Sequence, residues 1–300
     1  MIDALHALTR FCDYGALMLL LGSAAFPYVG LRKFEALRRD ADLLNDLGLL
    51  AMVAVGVTMC AMASSLGATM GQMPWEISID MAKAMIVQTN MGWAFLVRIA
   101  ALLVICLFAT RAKRSHVRTM TALVLGGVAL TTLTWSGHVA ASAGAIGVLH
   151  RLNDTTHLIA ASLWIGAIGG FALMTTGVHK DADLSYAHHL RNALQCFAPV
   201  GIVLVGIVAI TGLVNANLIF ELGRWQTVLA KPYGTLLAAK LCLVIAMLGC
   251  AAANLTIGRE ERVADEKVIS SLRTSLVIEF GLGCSILAIV SVMGLASPMG

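Results

Sequence analysis

Apolar residues run along this chain in long blocks, without the strict alternation of a half-buried strand or the single stripe of a surface helix. Eight blocks, near 6–30, 45–67, 92–110, 119–139, 152–178, 195–220, 233–256 and 274–296, each hold the roughly 20 mostly apolar residues that a helix needs to cross about 30 Å of hydrocarbon. Charge-rich or Pro/Gly-marked breaks separate each neighbouring pair. A backbone in lipid must satisfy its own hydrogen bonds, so blocks of this length read as helices. The pattern predicts an all-α integral membrane protein, a single polytopic domain over 1–300 with about eight transmembrane helices. The first block is read as a span and not as a cleaved leader, because it holds Arg10 and Asp13, has no basic start and offers no convincing small-residue cleavage site.

Composition agrees with that class. Of the 300 residues 59% are hydrophobic and 13% charged, and the mean hydropathy is +0.85. A soluble domain of this size has too little interior to hide so much apolar surface. The chain has no GxxxxGK[ST] loop and no aspartyl-phosphate motif of an ion-pumping ATPase, so any transport is not driven by ATP bound here. Enzymatic activity is not expected. All seven cysteines, Cys12, Cys60, Cys106, Cys196, Cys242, Cys250 and Cys284, fall within the blocks, which implies no disulfide framework.

Charge sets the expected orientation. Cationic loops resist translocation. Arg32, Lys33, Arg38 and Arg39 lie in the first connection, and Arg111, Lys113, Arg114 and Arg118 in the third. Lys180 and Arg191 lie in the fifth, and Arg259, Arg262, Lys267 and Arg273 in the seventh. The other side has Arg10, Lys83, Arg151, Arg224 and Lys231. Both termini are therefore expected outside, in the periplasm of a bacterium. The net charge of +4 reports topology and does not point to nucleic acid.

A short internal repeat suggests two halves. His6 precedes the LLLG ending at Gly22 by the same 16 residues as His150 precedes the LWIG ending at Gly166. Arg98 follows Gly92, and Lys240 follows Gly234, each by six. Four helices per half would make the halves parallel, with a site expected between them.

Candidate chemistry gathers on the outer side. His138 closes the fourth block, and His150, Asp154 and His157 follow at i, i+4 and i+7 on one helical face at the entrance of the fifth. His6 begins the first block at the same level. The second block and the loop after it add Met59, Met62, Met70 and Met73. Imidazole with thioether suits copper, thioethers favouring Cu(I) and imidazoles accepting either Cu(I) or Cu(II). Asp154 is placed as the carboxylate that holds a ring N–H. A lone membrane histidine more often bonds a neighbouring helix, and Met often only fills space; three imidazoles at one depth favour a ligand role. Asp13, Arg98, Lys240 and Glu279 lie within spans, where mutual pairing, Asp13 with Arg98 for instance, competes with a transport role.

At these residues the sequence resembles the copper resistance D family of bacterial inner-membrane proteins. The matching pieces are Gly137-His138, then His150, Asp154 and His157 running into Trp164 and Gly166, then Phe197, Thr211-Gly212 and Asn215. Pro232-Tyr233-Gly234 with Lys240, Arg273 with Glu279, and Thr89, Gly92 and Arg98 follow the same pattern. The resemblance implies copper homeostasis at the inner membrane, as copper uptake from the periplasm with a separate periplasmic copper-binding protein of the C type as donor. The alternative is a membrane redox protein of cytochrome b type, its outer histidines holding haem or helping to bind quinol. The remaining histidines, His116, His179, His188 and His189, lie in loops, which disfavours a two-haem relay.

Overall fold

The computed structural model describes residues 1–300 apart from 45, 112–115, 137–143, 177–183, 221–222, 224, 259–264 and 297–300. Its described elements are helical. Eight helices are long and apolar enough to cross a membrane: α1 (Ile2–Val29), α3 (Leu47–Met70), α5 (Asn90–Arg111), α6 (His116–Thr131), α7 (Gly144–Thr176), α8 (Leu184–Phe220), α10 (Pro232–Gly258) and α11 (Asp265–Met293). Three shorter helices connect them: α2 (Glu35–Leu44), α4 (Ile79–Gln88) and α9 (Trp225–Leu229). The chain is a multi-pass membrane protein, and eight crossings bring the start of α1 and the end of α11 to one face, called here the terminal face.

Local signals explain where the helices stop. The Asp46 carboxylate accepts the backbone N–H groups of Gly48 and Leu49 and caps α3, which ends at Gly71 with φ of 66°. Ser78 caps α4 by accepting from Met81 N–H. The main departures from the apolar blocks are at helix starts. α7, α8 and α11 begin some turns before their hydropathy rises, because Gly144 to Arg151 and Leu184 to Asn192 are polar or mixed yet continue the helix. His150 therefore sits inside α7, not at its mouth. Conversely the fourth block's end at 139 is replaced by a 3-10 turn over Thr132–Trp135, and His138 lies outside the described residues.

The two halves share one plan. α1 packs on α3 and α6, and α5 on α3 and α6; likewise α7 packs on α8 and α11, and α10 on α8 and α11. The junction is the α1–α7 crossing, where a β-carbon on Gly22 would overlap the Ser162 carbonyl oxygen and the Gly166 Cα, and one on Gly166 would overlap Gly22. Gly22 and Gly166 are the matched glycines of the repeat, so each lies against its own counterpart, as an axis relating two parallel halves requires. A second match is independent of that junction. A β-carbon on Gly92 would strike the carbonyl of Ile86, and one on Gly234 that of Val228, each six residues earlier across the α4–α5 and α9–α10 corners.

Two large cores fill the bundle, and a smaller cluster of Phe220, Val228, Tyr233 and Met293 closes one end. Leu17, Leu20, Leu102, Ile105, Leu130 and Leu133 fill the first half. In the other, Phe26 of α1 meets Phe171 of α7 edge-on at 5.0 Å, Phe171 meets Phe197 of α8 at 5.5 Å, and Leu190 and Leu272 close the cluster. Under a quarter of the apolar stretch of α8, α10 and α11 is covered by the chain itself, against a third or more in α1, α3, α5, α6 and α7. α8, α10 and α11 thus present most of their apolar surface outward.

Candidate functional site

Each half buries a polar cluster at the same level, and the two differ in kind. In the first half Asp13 of α1 is 3% exposed and Arg98 of α5 is 2% exposed. Arg98 Nη1 donates to Asp13 Oδ2 at 2.5 Å, and Thr58 Oγ1 of α3 donates to the other carboxylate oxygen at 2.6 Å. Arg98 Nε donates to Thr132 Oγ1 at 2.8 Å, with the Phe95 ring 4.7 Å from the guanidinium carbon. Both carboxylate oxygens are occupied and the cation is neutralised. Asp13 and Arg98 are paired with each other in the structure. This is a closed brace.

The second half carries different groups at the matched positions. Asp13 and His157 stand 144 residues apart, as do His6 and His150, and Gly22 and Gly166. Lys240 occupies the place of Arg98. Where Thr58 bonds Asp13, Thr211 of α8 bonds His157, its Oγ1 lying 2.9 Å from Nδ1. The Thr211 hydroxyl spends its hydrogen on the Ile207 carbonyl at 2.6 Å. Toward His157 it is an acceptor, so Nδ1 carries the proton and Nε2 keeps a lone pair. That is the ring state in which a histidine binds a metal. Gly212 lies beside the ring, where a β-carbon would make ordinary contact with Cε1 at 3.4 Å.

One turn nearer the terminal face, Asn153 Nδ2 donates to the Thr211 carbonyl and to Asn215 Oδ1, both at 2.8 Å. Asn215 Nδ2 then donates to Asp154 Oδ1 at 2.8 Å. Lys240 of α10 lies close enough for its charge to act on Asp154 and His157, but no ion pair closes between Lys240 and Asp154. Where the first half has a salt-bridged pair, the second has His157, Asp154 and Lys240 with no ion pair among them.

The structure places the remaining expected residues as follows. His150 is 1% exposed in the second turn of α7. His6 Nε2 pairs with Ser65 Oγ of α3 at 3.2 Å, and Thr9 with Ser64 at 2.5 Å, so the end of α1 is fastened within the first half. Asp154 accepts from Asn215 and His157 is bonded through Nδ1 to Thr211. Met59 is 53% exposed on the outward side of α3, Met62 and Met70 are half-buried, and Met73 is buried in the turn before α4. Met52 and Cys242 also point outward, whereas Met247 is buried. Among the described residues no three His, Cys, Asp or Glu side chains converge as a metal cluster, and His138 is not among them. Asn153 was not singled out by sequence; amides one turn from each other's partners in an otherwise apolar span, such as Asn153 and Asn215, are the signal that finds it.

Comparison with known proteins bears on what this arrangement serves. The N-terminal domain model described as copper resistance protein D-like matches residues 1–148, and the model described as copper resistance protein D matches residues 191–293. The chain is 32% identical to "Copper resistance protein D" of Pseudomonas syringae pv. tomato, covering 99% of this chain and 98% of that protein. It is 25% identical to "Inner membrane protein YebZ" of Escherichia coli K12, over 96% of this chain and 97% of the relative. It is also 25% identical to "Copper transport protein CutJ" of Bacillus subtilis 168, over 56% of this chain and 29% of that protein. No solved structure matches. With eight membrane-length helices and a full-length relative above the 30% level, the chain belongs to the copper resistance protein D family.

Proposed function

We propose that this protein sits in the bacterial inner membrane with its terminal face in the periplasm, takes up a copper ion there and passes it inward. The observation that carries the reading is the state of His157: Thr211 holds Nδ1–H and leaves the Nε2 lone pair for a metal. His150 stands two turns away on the same helix, and His138 completes the set of imidazoles. Asp154, fixed by Asn215, lends negative charge to a bound cation. Met59, Met62, Met70, Met73 and His6 are proposed as the first collectors of Cu(I) on the same face, since thioether sulfur is a soft neutral donor. A separate periplasmic copper-binding protein is the proposed donor, and copper is the cargo, in either oxidation state.

The test is copper uptake into sealed vesicles containing the purified protein, with metal content and visible spectrum recorded on the same sample. Uptake above protein-free vesicles, without a Soret band, is the expected result. A Soret band that His157→Ala removes would transfer the site to haem, and copper binding without flux would make the protein a sensor or scaffold.

A further inference from the structure

A second buried acid lies far from the histidines. Glu279 of α11 is 2% exposed. Six residues before it, the Arg273 guanidinium donates to the carbonyl of Thr175 at the end of α7. That carbonyl marks the face opposite the termini, which puts Glu279 about 9 Å inside the bundle at 1.5 Å per residue. Asn254 of α10 donates from Nδ2 to Glu279 Oε2 at 3.0 Å, while the Asn254 Oδ1 is buried with no hydrogen-bond partner.

Among the described residues no cation pairs with the carboxylate. α11 packs on α10, α7, α1 and α8. On α1 the charged and titratable groups are Asp3, His6, Arg10, Cys12, Asp13 and Tyr14 in the half toward the terminal face and Tyr28 at the opposite end; on α7 they are His150, Arg151, Asp154 and His157, toward the terminal face; on α10 Tyr233, Lys240 and Cys242 lie toward the terminal face and Cys250 toward the opposite one. His188, His189 and Arg191 lie in the first turns of α8, at the opposite end. On α11 itself, Asp265, Glu266 and Lys267 lie beyond Arg273, whose guanidinium donates to the Thr175 carbonyl, and Cys284 lies past Glu279 toward the terminal face. Among the described residues Asn254 is the polar partner recorded for the Glu279 carboxyl, and no ion pair reaches it.

Burial with one neutral donor disfavours an ionised carboxylate at such a site. The acid form instead supplies the hydrogen that Asn254 Oδ1 lacks, on the side chain already bonded to that amide. Cys250 stands one turn from Asn254 on α10, and Met247 packs near Gly283, the next turn of α11. Soft donors thus line the same pair of helices.

We propose that Glu279 and Asn254 form a proton-exchange site on the inward path of the cation, an inference that rests on the copper-moving reading above. Glu279 holds a proton while the site is empty. As a copper ion arrives, the proton leaves to water on the opposite face and the carboxylate balances the ion's charge; as the ion departs, the proton returns. No electrons move.

Parent and Glu279→Gln proteins in sealed vesicles test this, with copper uptake measured while the internal pH is varied. Glutamine keeps the size and hydrogen bonds of the acid but cannot ionise. Parental uptake should fall as the inside is acidified. Glu279→Gln should lose uptake while still binding copper, and Glu279→Asp should restore a pH-dependent rate. Uptake by Glu279→Gln at the parental rate with the parental pH profile would overturn the proposal. If the parent itself moves no copper, the transport reading fails separately. The proton site is then judged by infrared spectra across a pH change, where a carboxylic C=O band present in the parent and missing in Glu279→Gln supports it and identical spectra refute it.

Discussion

Asp13 and His157 occupy matched places in the two halves, and their partners decide what each does. Asp13 has both oxygens bonded and a guanidinium beside it, so removing either charge leaves the other buried and alone. Asp13→Ala and Arg98→Ala should each lower stability by about 3–5 kcal/mol, whereas replacing both by apolar residues of similar volume should cost much less. Thermal or denaturant unfolding in detergent reads this, and equal losses in the single and double variants would speak against a coupled pair. His157 is held through Nδ1 by Thr211. Thr211→Val removes the acceptor that fixes Nδ1–H while keeping the shape of the side chain. It should weaken copper binding by roughly 10- to 100-fold with the fold intact. Unchanged affinity would show that Thr211 does not orient a ligand.

At the scale of helices, the α1–α7 crossing is the contact on which the arrangement depends. Gly22 and Gly166 let two backbones meet without side chains between them. Gly166→Leu should push α7 from α1, lower thermal stability and weaken copper binding together, because His150, Asp154 and His157 ride on α7. Gly127→Leu is the control, since its β-carbon would meet open space. Equal melting of the two variants would contradict a close crossing. The same helices show what was legible in the sequence. Hydropathy located all eight spans, since a run such as Leu102 to Leu107 has no other stable home. It missed α2, α4 and α9, whose polar residues carry no apolar block, and it started α8 late because Tyr186, His188 and His189 are polar yet helical. The i, i+4, i+7 spacing put His150, Asp154 and His157 on one face. Their bonding partners Thr211 and Asn215 come from another helix, and no spacing along one chain segment reveals which helix faces which.

For the whole molecule, the orientation proposed from loop charge puts the α3–α4 turn outside. In a cysteine-free background, Ser78→Cys, an exposed residue at the start of α4, should react with a membrane-impermeant thiol reagent in intact spheroplasts. Labelling seen only after lysis would reverse the orientation and the direction of transport with it. On the function proposed above, the two halves divide the labour: the first holds the Asp13–Arg98 pair, and the second is the proposed copper site around His157. The most direct test of that claim is copper affinity, measured by competition with a chelator, for the parent, His157→Ala and His188→Ala. His188 lies at the far end of α8, so its loss should leave affinity unchanged, while His157→Ala should weaken binding by well over about tenfold, as expected for loss of a direct ligand. Parental copper affinity in His157→Ala would contradict the account.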